Sequence, residues 1–301
     1  MYTGRTLVRI ALNGTSVLSP RLAGYAAFRF FRLPFARSAP RPAERLVTAE
    51  AAKERLRLGD REVVIYRWGN GERPVLLVHG WRSRGSRFAA FVPGLLAAGY
   101  SPLAFDAPGH GDSTGDTTTV LDYREIIGRL HARYGDFEAI VAHSMGVLGS
   151  FLALRSGVHA KRVVAISAVA EFRFLADAFC AILGLGPRVG TELRRRIETR
   201  LFPGETDIWT EFSAGYRPED TQAQVLLIHD ADDDMAHIGQ SHLILRAYGE
   251  TRARMLTTRG HGHRRILGAS EVVDAALEFL RADPDRHGRV PSRERGATAP
   301  S

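Results

Sequence analysis

Ala142-His143-Ser144-Met145-Gly146 sets a serine between two small residues, after the apolar pair Ile140 and Val141 and ahead of a segment of helical character. A serine on a tight strand-to-helix turn projects its hydroxyl above the sheet, and the positions two before and two after must be small to avoid collision. Ala142 and Gly146 satisfy that. A helix starting behind Ser144 also aims unpaired backbone N–H groups, and a partial positive charge, at any anion forming in front of it. The chemistry this suits is nucleophilic. It requires a base, and a carboxylate that keeps a neutral imidazole in the right tautomer. Candidate acids are Asp230, Asp232, Asp233 and Asp234, after the apolar run 225–229; candidate bases are His261 and His263 in Gly260-His261-Gly262-His263. Read as a calcium loop, the acidic cluster fails on spacing, with Met235 where a glycine is needed and Ser241 where a glutamate is needed. The His-x-His pair lacks a third metal ligand. His143, next to the nucleophile on its turn, is expected to point away from it.

These residues need a scaffold that brings distant segments together. Short β-branched or apolar runs at 63–68, 75–79, 102–105, 138–143, 162–167, 225–229 and 254–256 read as strands. Helical segments fall near 86–98, 121–134, 145–155 and 271–281. The first two strands, separated by Gly69-Asn70-Gly71, are expected to form a hairpin or close pair. Strands regularly separated by helices predict an α/β fold: a mostly parallel sheet with helices on both faces. Residues 169–223 interrupt the alternation with helical stretches, Gly-Leu-Gly-Pro at 184–187 and Phe-Pro-Gly at 202–204, as expected of a small helical lid.

With the serine turn, the chain resembles the α/β-hydrolase superfamily, and within it the serine esterases, over about residues 60–281. Ala142 stands where that family usually has glycine. The resemblance implies the chain order Ser, acid, His. It places the acid four residues beyond the histidine ending its strand, which is Asp233, with Asp232 as the alternative. It places the base in a Gly-x-Gly-His turn, which matches His263, with His261 as the alternative. It further implies that His79-Gly80-Trp81 supplies one oxyanion donor, the Trp81 N–H, beside the Met145 N–H, with the Trp81 indole lining the acyl pocket. Asp106-Ala107-Pro108-Gly109-His110-Gly111-Asp112-Ser113 resembles the loop that shapes such a site from below, with His110 as a hydrogen-bonding loop residue. A serine nucleophile sets the chain apart from epoxide hydrolases and haloalkane dehalogenases, which use a carboxylate there. The expected activity is hydrolysis of a carboxylic ester of small or medium apolar type through an acyl-enzyme; the alternatives are a membrane-surface lipid or thioester hydrolase, or a catalytically silent binding protein of the same fold.

Composition narrows the field further. At 301 residues, 45% hydrophobic and 25% charged, the chain is ordinary for a globular protein and long enough to need no disulfide or metal staple. Its net charge of +8 is carried by the ends. Residues 1–50 hold eight Arg and two Glu, and 281–301 hold five Arg and three acids, so 51–280 are neutral with 28 of each sign. That distribution lacks the clustered basic stripe of a nucleic-acid binder. No cofactor is implied, since no glycine-rich dinucleotide turn or metal cluster is found, and the lone Cys180 reads as a small apolar filler.

Residues 1–46 read as a basic amphipathic helical segment and linker, and 282–301 as a disordered tail rich in Pro, Arg, Ser and Gly. In 21–35, Arg21, Arg29 and Arg32 share one arc of a helix while Leu22, Ala26, Phe30 and Leu33 share the next. Such a helix docks on its own body or lies on a membrane surface. With no transmembrane run and no clean signal peptide, a cytoplasmic protein acting on a small-molecule ester is expected. The lid aromatics Phe172, Phe174, Phe179, Phe202, Trp209 and Phe212 suggest an apolar substrate moiety, although lid helices need packing of their own.

Overall fold

In the central strands, successive side chains are buried on opposite faces: Leu76 and Val78 in one apolar layer, Val75 and Leu77 in another. Such near-continuous apolar runs are what a sheet covered on both sides requires. The computed structural model describes residues 2–34 and 36–282. Its strands are β1 Ala52–Leu58, β2 Arg61–Arg67, β3 Pro74–Val78, β4 Ser101–Asp106, β5 Phe137–His143, β6 Ala160–Ile166, β7 Gln224–Asp230 and β8 Ala253–Thr258. They form one sheet in the order β1-β2-β4-β3-β5-β6-β7-β8. β1 and β2 run antiparallel to their neighbours, and the other six strands are mutually parallel.

The helices are α1 Tyr2–Leu18, α2 Pro20–Arg32, α3 Pro42–Ala49, α4 Val92–Ala97, α5 Val120–Tyr134, α6 Met145–Arg155, α7 Phe172–Leu183, α8 Pro187–Arg196, α9 Ile208–Glu211, α10 Gly239–Tyr248, α11 Gly262–Arg265 and α12 Ser270–Arg281. Side chains of α5, α6 and α10 join the layer on one face of the sheet, those of α4 and α12 the layer on the other. The mostly parallel sheet with helices on both faces is the architecture expected.

Two local readings are corrected, and one strand is added. β2 and β3 are not a hairpin: β4 lies between them. The Trp68 N–H donates to Pro102 O at 3.0 Å, and the Ser101 hydroxyl accepts from Gly71 N–H at 3.0 Å while donating to Asn70 Oδ1 at 3.1 Å. The glycine-rich loop thus wraps over the start of β4. The helix expected over 86–98 is split into a 3-10 turn, Gly85–Phe88, and α4, which has Pro93 in its first turn. β1 went unread because its Ala-Lys-Glu-Arg-Leu-Arg-Leu sequence is charged, as suits an edge strand that must not recruit another.

Ahead of the sheet, α1 and α2 pack on α7 and α8. Ala23, Ala27 and Leu12 are buried with Val189 of α8, and Phe31 meets Phe172 and Phe179 edge-on. The Asn13 side chain bridges the α7–α8 turn, donating to Gly184 O at 2.9 Å and accepting from Gly186 N at 2.8 Å. Among the described residues no helix is long and apolar enough to cross a membrane. The expected tail at 283–301 lies outside the described residues.

Candidate active site

Ser144, between β5 and α6, has a backbone conformation that no residue of β5 shares, φ 55° and ψ −127°. The non-glycine positive φ is strained and persists only because its surroundings determine it. Ser144 N donates to Ile166 O at 3.0 Å, and Val147 N donates to Ser144 O at 3.0 Å. Gly80 and Gly146 make room: a Cβ on Gly80 would sit 2.7 Å from the Ser144 Cβ, and one on Gly146 would sit 2.6 Å from the carbonyl oxygens of Val78 and His79.

Over this turn three side chains from distant segments meet. The Ser144 Oγ lies 3.0 Å from His263 Nε2, and His263 Nδ1 lies 2.8 Å from Asp233 Oδ2. An Nδ1–H donated to the carboxylate leaves Nε2 as acceptor for the serine hydroxyl. The other carboxylate oxygen of Asp233 accepts the Met235 and Ala236 N–H groups, each at 2.9 Å. Burial alone would raise the Asp233 carboxyl, but the His263 ring and those two N–H groups outweigh it and hold it at about 2. All three residues are nearly inaccessible, at 7%, 8% and 8% exposure for Ser144, Asp233 and His263.

The alternatives are drawn elsewhere. Asp232 accepts from Gly260 N at 2.9 Å. Asp230 accepts from Gly262 N, His261 N and the Thr258 hydroxyl, so it staples the turn that carries His263. His261 pairs through Nε2 with Glu271 at 2.8 Å. His229 fixes the acidic loop from below, donating Nε2–H to Ala236 O at 2.6 Å and accepting the Ser241 hydroxyl on Nδ1 at 2.7 Å.

On the opposite side, His79 holds the turn after β3. Its Nδ1–H donates to Gly80 O at 2.7 Å and its Nε2 accepts Ala107 N–H at 2.9 Å, with burial keeping the ring neutral. His110 does the same one residue further on, accepting the Arg82 N–H on Nε2 at 3.0 Å and donating Nδ1–H to Pro108 O at 3.0 Å. The backbone N–H groups of Trp81 and Met145, between these supports and the serine turn, have no protein acceptor among the described residues.

His143, expected to point away from the nucleophile, reaches His263 instead. Its ring lies 4.7 Å from the His263 ring, and its Nε2 donates to the His263 carbonyl at 2.7 Å. Burial, then the nearby His263, pushes its ring down to about 3, so it stays a neutral donor. Nothing in the spacing of the sequence announces this bond, which spans 120 residues.

A cavity of about 60 Å³ opens beside His263, His143 and Trp81. The lid aromatics do not line it. Phe172, Phe202, Phe212 and Trp209 pack on one another.

Residues 75–283 match the model of the α/β hydrolase family, and the chain belongs to that family. It is 33% identical over 113 residues to the non-heme chloroperoxidase CPO-A1 of Kitasatospora aureofaciens, a stretch covering 33% of this chain and 36% of that protein. Its fold is similar to that of an esterase from Pyrococcus furiosus, with a TM-score of 0.61 and 19% identity over 83% of this chain and 97% of that one. It is also similar to a monoacylglycerol lipase from Paleococcus ferrophilus, with a TM-score of 0.56 and 24% identity over 72% of this chain and 98% of that one.

Proposed function

We propose that the protein is a serine hydrolase of carboxylic esters, with Ser144 as nucleophile, His263 as base and Asp233 as the residue that orients it. The observation carrying this reading is the unbroken hydrogen-bond path from the Asp233 carboxylate through His263 to the Ser144 hydroxyl, at 2.8 and 3.0 Å. His263 takes the hydroxyl proton as Ser144 Oγ attacks the carbonyl carbon. The free N–H groups of Trp81 and Met145 hold the oxyanion, each contributing about 3 kcal/mol to the transition state. His263 then passes its proton to the departing alcohol, and a water activated by the same ring hydrolyses the acyl-enzyme. Asp233, already anionic and buried, stabilises the imidazolium formed in between.

The test is hydrolysis of chromogenic esters by the wild type and Ser144→Ala, together with labelling by a fluorophosphonate. Turnover falls by about 10³-fold or more in the variant and labelling disappears. An alanine variant with full activity, or folded wild type that takes up no label, sinks the assignment.

A second reading, that the enzyme works on a membrane surface, rests on the outer face of α1 and α2. Leu7, Ile10, Val17, Leu18, Leu22 and Tyr25 are exposed there at 45–90%, with exposed Arg9, Arg21 and Arg29 on the same two helices. Apolar side chains beside cations suit an interface with anionic lipid. Val17→Glu/Leu22→Glu then lowers co-sedimentation with phosphatidylglycerol vesicles by at least tenfold, while equal sedimentation of both proteins removes this reading.

A further inference from the structure

Four arginines from three separate segments converge on the cavity beside His263: Arg41, Arg82, Arg87 and Arg264. Arg41 is the residue before α3, Arg82 follows the turn after β3, Arg87 lies in the 3-10 turn behind it, and Arg264 follows the proposed base directly. They feel one another. Burial first, then the charges of Arg82, Arg87 and Arg41, lower the Arg264 guanidinium, with Asp234 acting in the opposite direction.

The nearby carboxylates do not neutralise this group. Buried Glu44 pairs with Arg87 and lies 3.7 Å from Arg41. Arg87 is also tied to the Ser38 hydroxyl and, at 3.1 Å, to Ala39 O. The guanidinium groups of Arg82 and Arg264 make no hydrogen bond or ion pair among the described residues, and both side chains are exposed. Packing therefore accounts for Arg87 but leaves the other two without a structural task.

Arg82 carries a second, independent mark. Its φ is 55°, in the left-handed region where glycine is the unstrained choice. A long charged side chain kept at such a position, one residue past the proposed Trp81 donor, is a cost to folding. The Arg82 N–H is held by His110, so the conformation is fixed rather than adjustable.

The geometry points to an anion subsite at the mouth of the active site, built by Arg82 and Arg264 on the background charge of Arg41 and Arg87, that receives a carboxylate or phosphate carried by the ester substrate. This rests on the ester-hydrolase reading and narrows it to anionic esters. Guanidinium groups suit the role because their planar donor arrays pair with two oxygens of a carboxylate or phosphate at once. The cavity beside His263 and Trp81 has a volume of only about 60 Å³, so the part of the substrate that enters it is small.

The test compares 4-nitrophenyl hemiglutarate, a soluble anionic ester, with 4-nitrophenyl valerate, a neutral one of matched length, in the wild type, Arg82→Gly, Arg264→Gln and the double variant. The ratio of kcat/KM, anionic over neutral, exceeds 10 in the wild type at low ionic strength and declines as salt is added. It falls about 10- to 100-fold in the double variant, and Arg264→Lys keeps part of it. Arg82→Gly removes backbone strain rather than adding it, so folding does not confound the result.

A ratio that is the same in wild type and double variant overturns the inference while leaving ester hydrolysis standing. If neither ester is hydrolysed, the ester-hydrolase reading fails. The anion subsite is then judged on binding alone, by quenching of tryptophan fluorescence on titration with inorganic phosphate and with phosphatidylglycerol vesicles. Binding that the double variant loses supports the subsite, with phosphate pointing to a soluble ligand and vesicles to a lipid headgroup. Binding by neither, or equally by both proteins, removes it.

Discussion

His143 donates its Nε2–H to the backbone carbonyl of His263 at 2.7 Å, so the residue before the proposed nucleophile positions the residue proposed as its base. Both histidines are more than nine-tenths buried and their rings are 4.7 Å apart. The serine turn and the α11 turn are thereby joined by a bond independent of the Ser144–His263 contact itself. His143 is a positioning residue, since it touches the backbone of the base and not the reacting atoms.

Replacing it separates the two roles. His143→Phe keeps an aromatic ring, a somewhat larger one, and leaves the His263 carbonyl buried without a donor, which costs about 1–3 kcal/mol. The expected outcome is kcat lowered about tenfold with KM nearly unchanged, because the base is displaced while the mouth of the site is intact. His143→Gln, whose amide can reach the same carbonyl, recovers part of the loss. A KM effect larger than the kcat effect would reverse this assignment.

The same residue contributes to acid sensitivity. The folded-state values of His143, at about 3, and His79, well below its ordinary range, lie under the unfolded value near 6.5, both through burial first. The unfolded chain therefore binds more protons, and stability present above pH 6.5 is lost as pH falls toward 3. Asp233, held at about 2 against an ordinary 3.8, adds a second loss between pH 4 and 2. Urea midpoints measured from pH 7.5 to 4.5 fall steadily in the wild type, and His143→Phe flattens part of that slope. A midpoint independent of pH over this range would contradict the burial argument.

How far the sequence could be read depends on whether the signal was local. The β5–turn–α6 unit is legible because Ala142, Ser144 and Gly146 answer a steric demand within five residues. The parallel strands are legible because burial on both faces leaves unbroken apolar runs. β1 and α10 escaped, the first because an edge strand is charged and the second because Gly239–Tyr248 mixes Gln, Ser, His and Arg among its apolar positions. Asp233 and His263 could be singled out from their neighbours only through likeness to relatives. The hydrogen bonds of Asp230, Asp232 and His261 now give a physical reason, since each is occupied in stapling its own turn or pairing with Glu271. The cluster of Arg41, Arg82, Arg87 and Arg264 was invisible because Arg41 belongs to the basic first fifty residues, the other three to a stretch, 51–280, that is neutral as a whole, and their convergence exists only in three dimensions.

Arg84 ties the segment ahead of the sheet to the loop after β4. It donates to Asp112 at 2.9 Å, to the Tyr66 hydroxyl at 3.3 Å and to Ser38 O at 3.3 Å, and lies 3.7 Å from the fully buried Asp106. Asp106 also accepts from Gly85 N, Tyr66 OH and Asp112 N. Arg84→Met strips the cation from this buried carboxylate, and a cost of about 3–5 kcal/mol follows. Adding Asp106→Asn removes the stranded charge, so the double variant is more stable in urea than the sum of the two single losses. Strict additivity would mean the two groups are not coupled.

Gly80→Ala tests the steric logic of the serine turn without touching a polar group. The new methyl would lie 2.7 Å from the Ser144 Cβ and 3.0 Å from the His143 carbonyl oxygen, both on or next to backbone that Ile166 and Val147 hold in place. Neither neighbour is a flexible chain end, so the turn or the Gly80–Trp81 segment must shift. A shift of this kind moves the Ser144 hydroxyl relative to the Trp81 and Met145 N–H groups proposed to hold the oxyanion, and misplacement by about 1 Å costs on the order of 10² in rate. The expected outcome is a loss of about 100-fold or more in the rate of fluorophosphonate labelling. Circular dichroism stays native, and the loss exceeds that of Gly128→Ala on α5, where no heavy atom lies within 4 Å of the added carbon. Labelling at the wild-type rate would mean that the close approach of the two turns is not what aligns the serine.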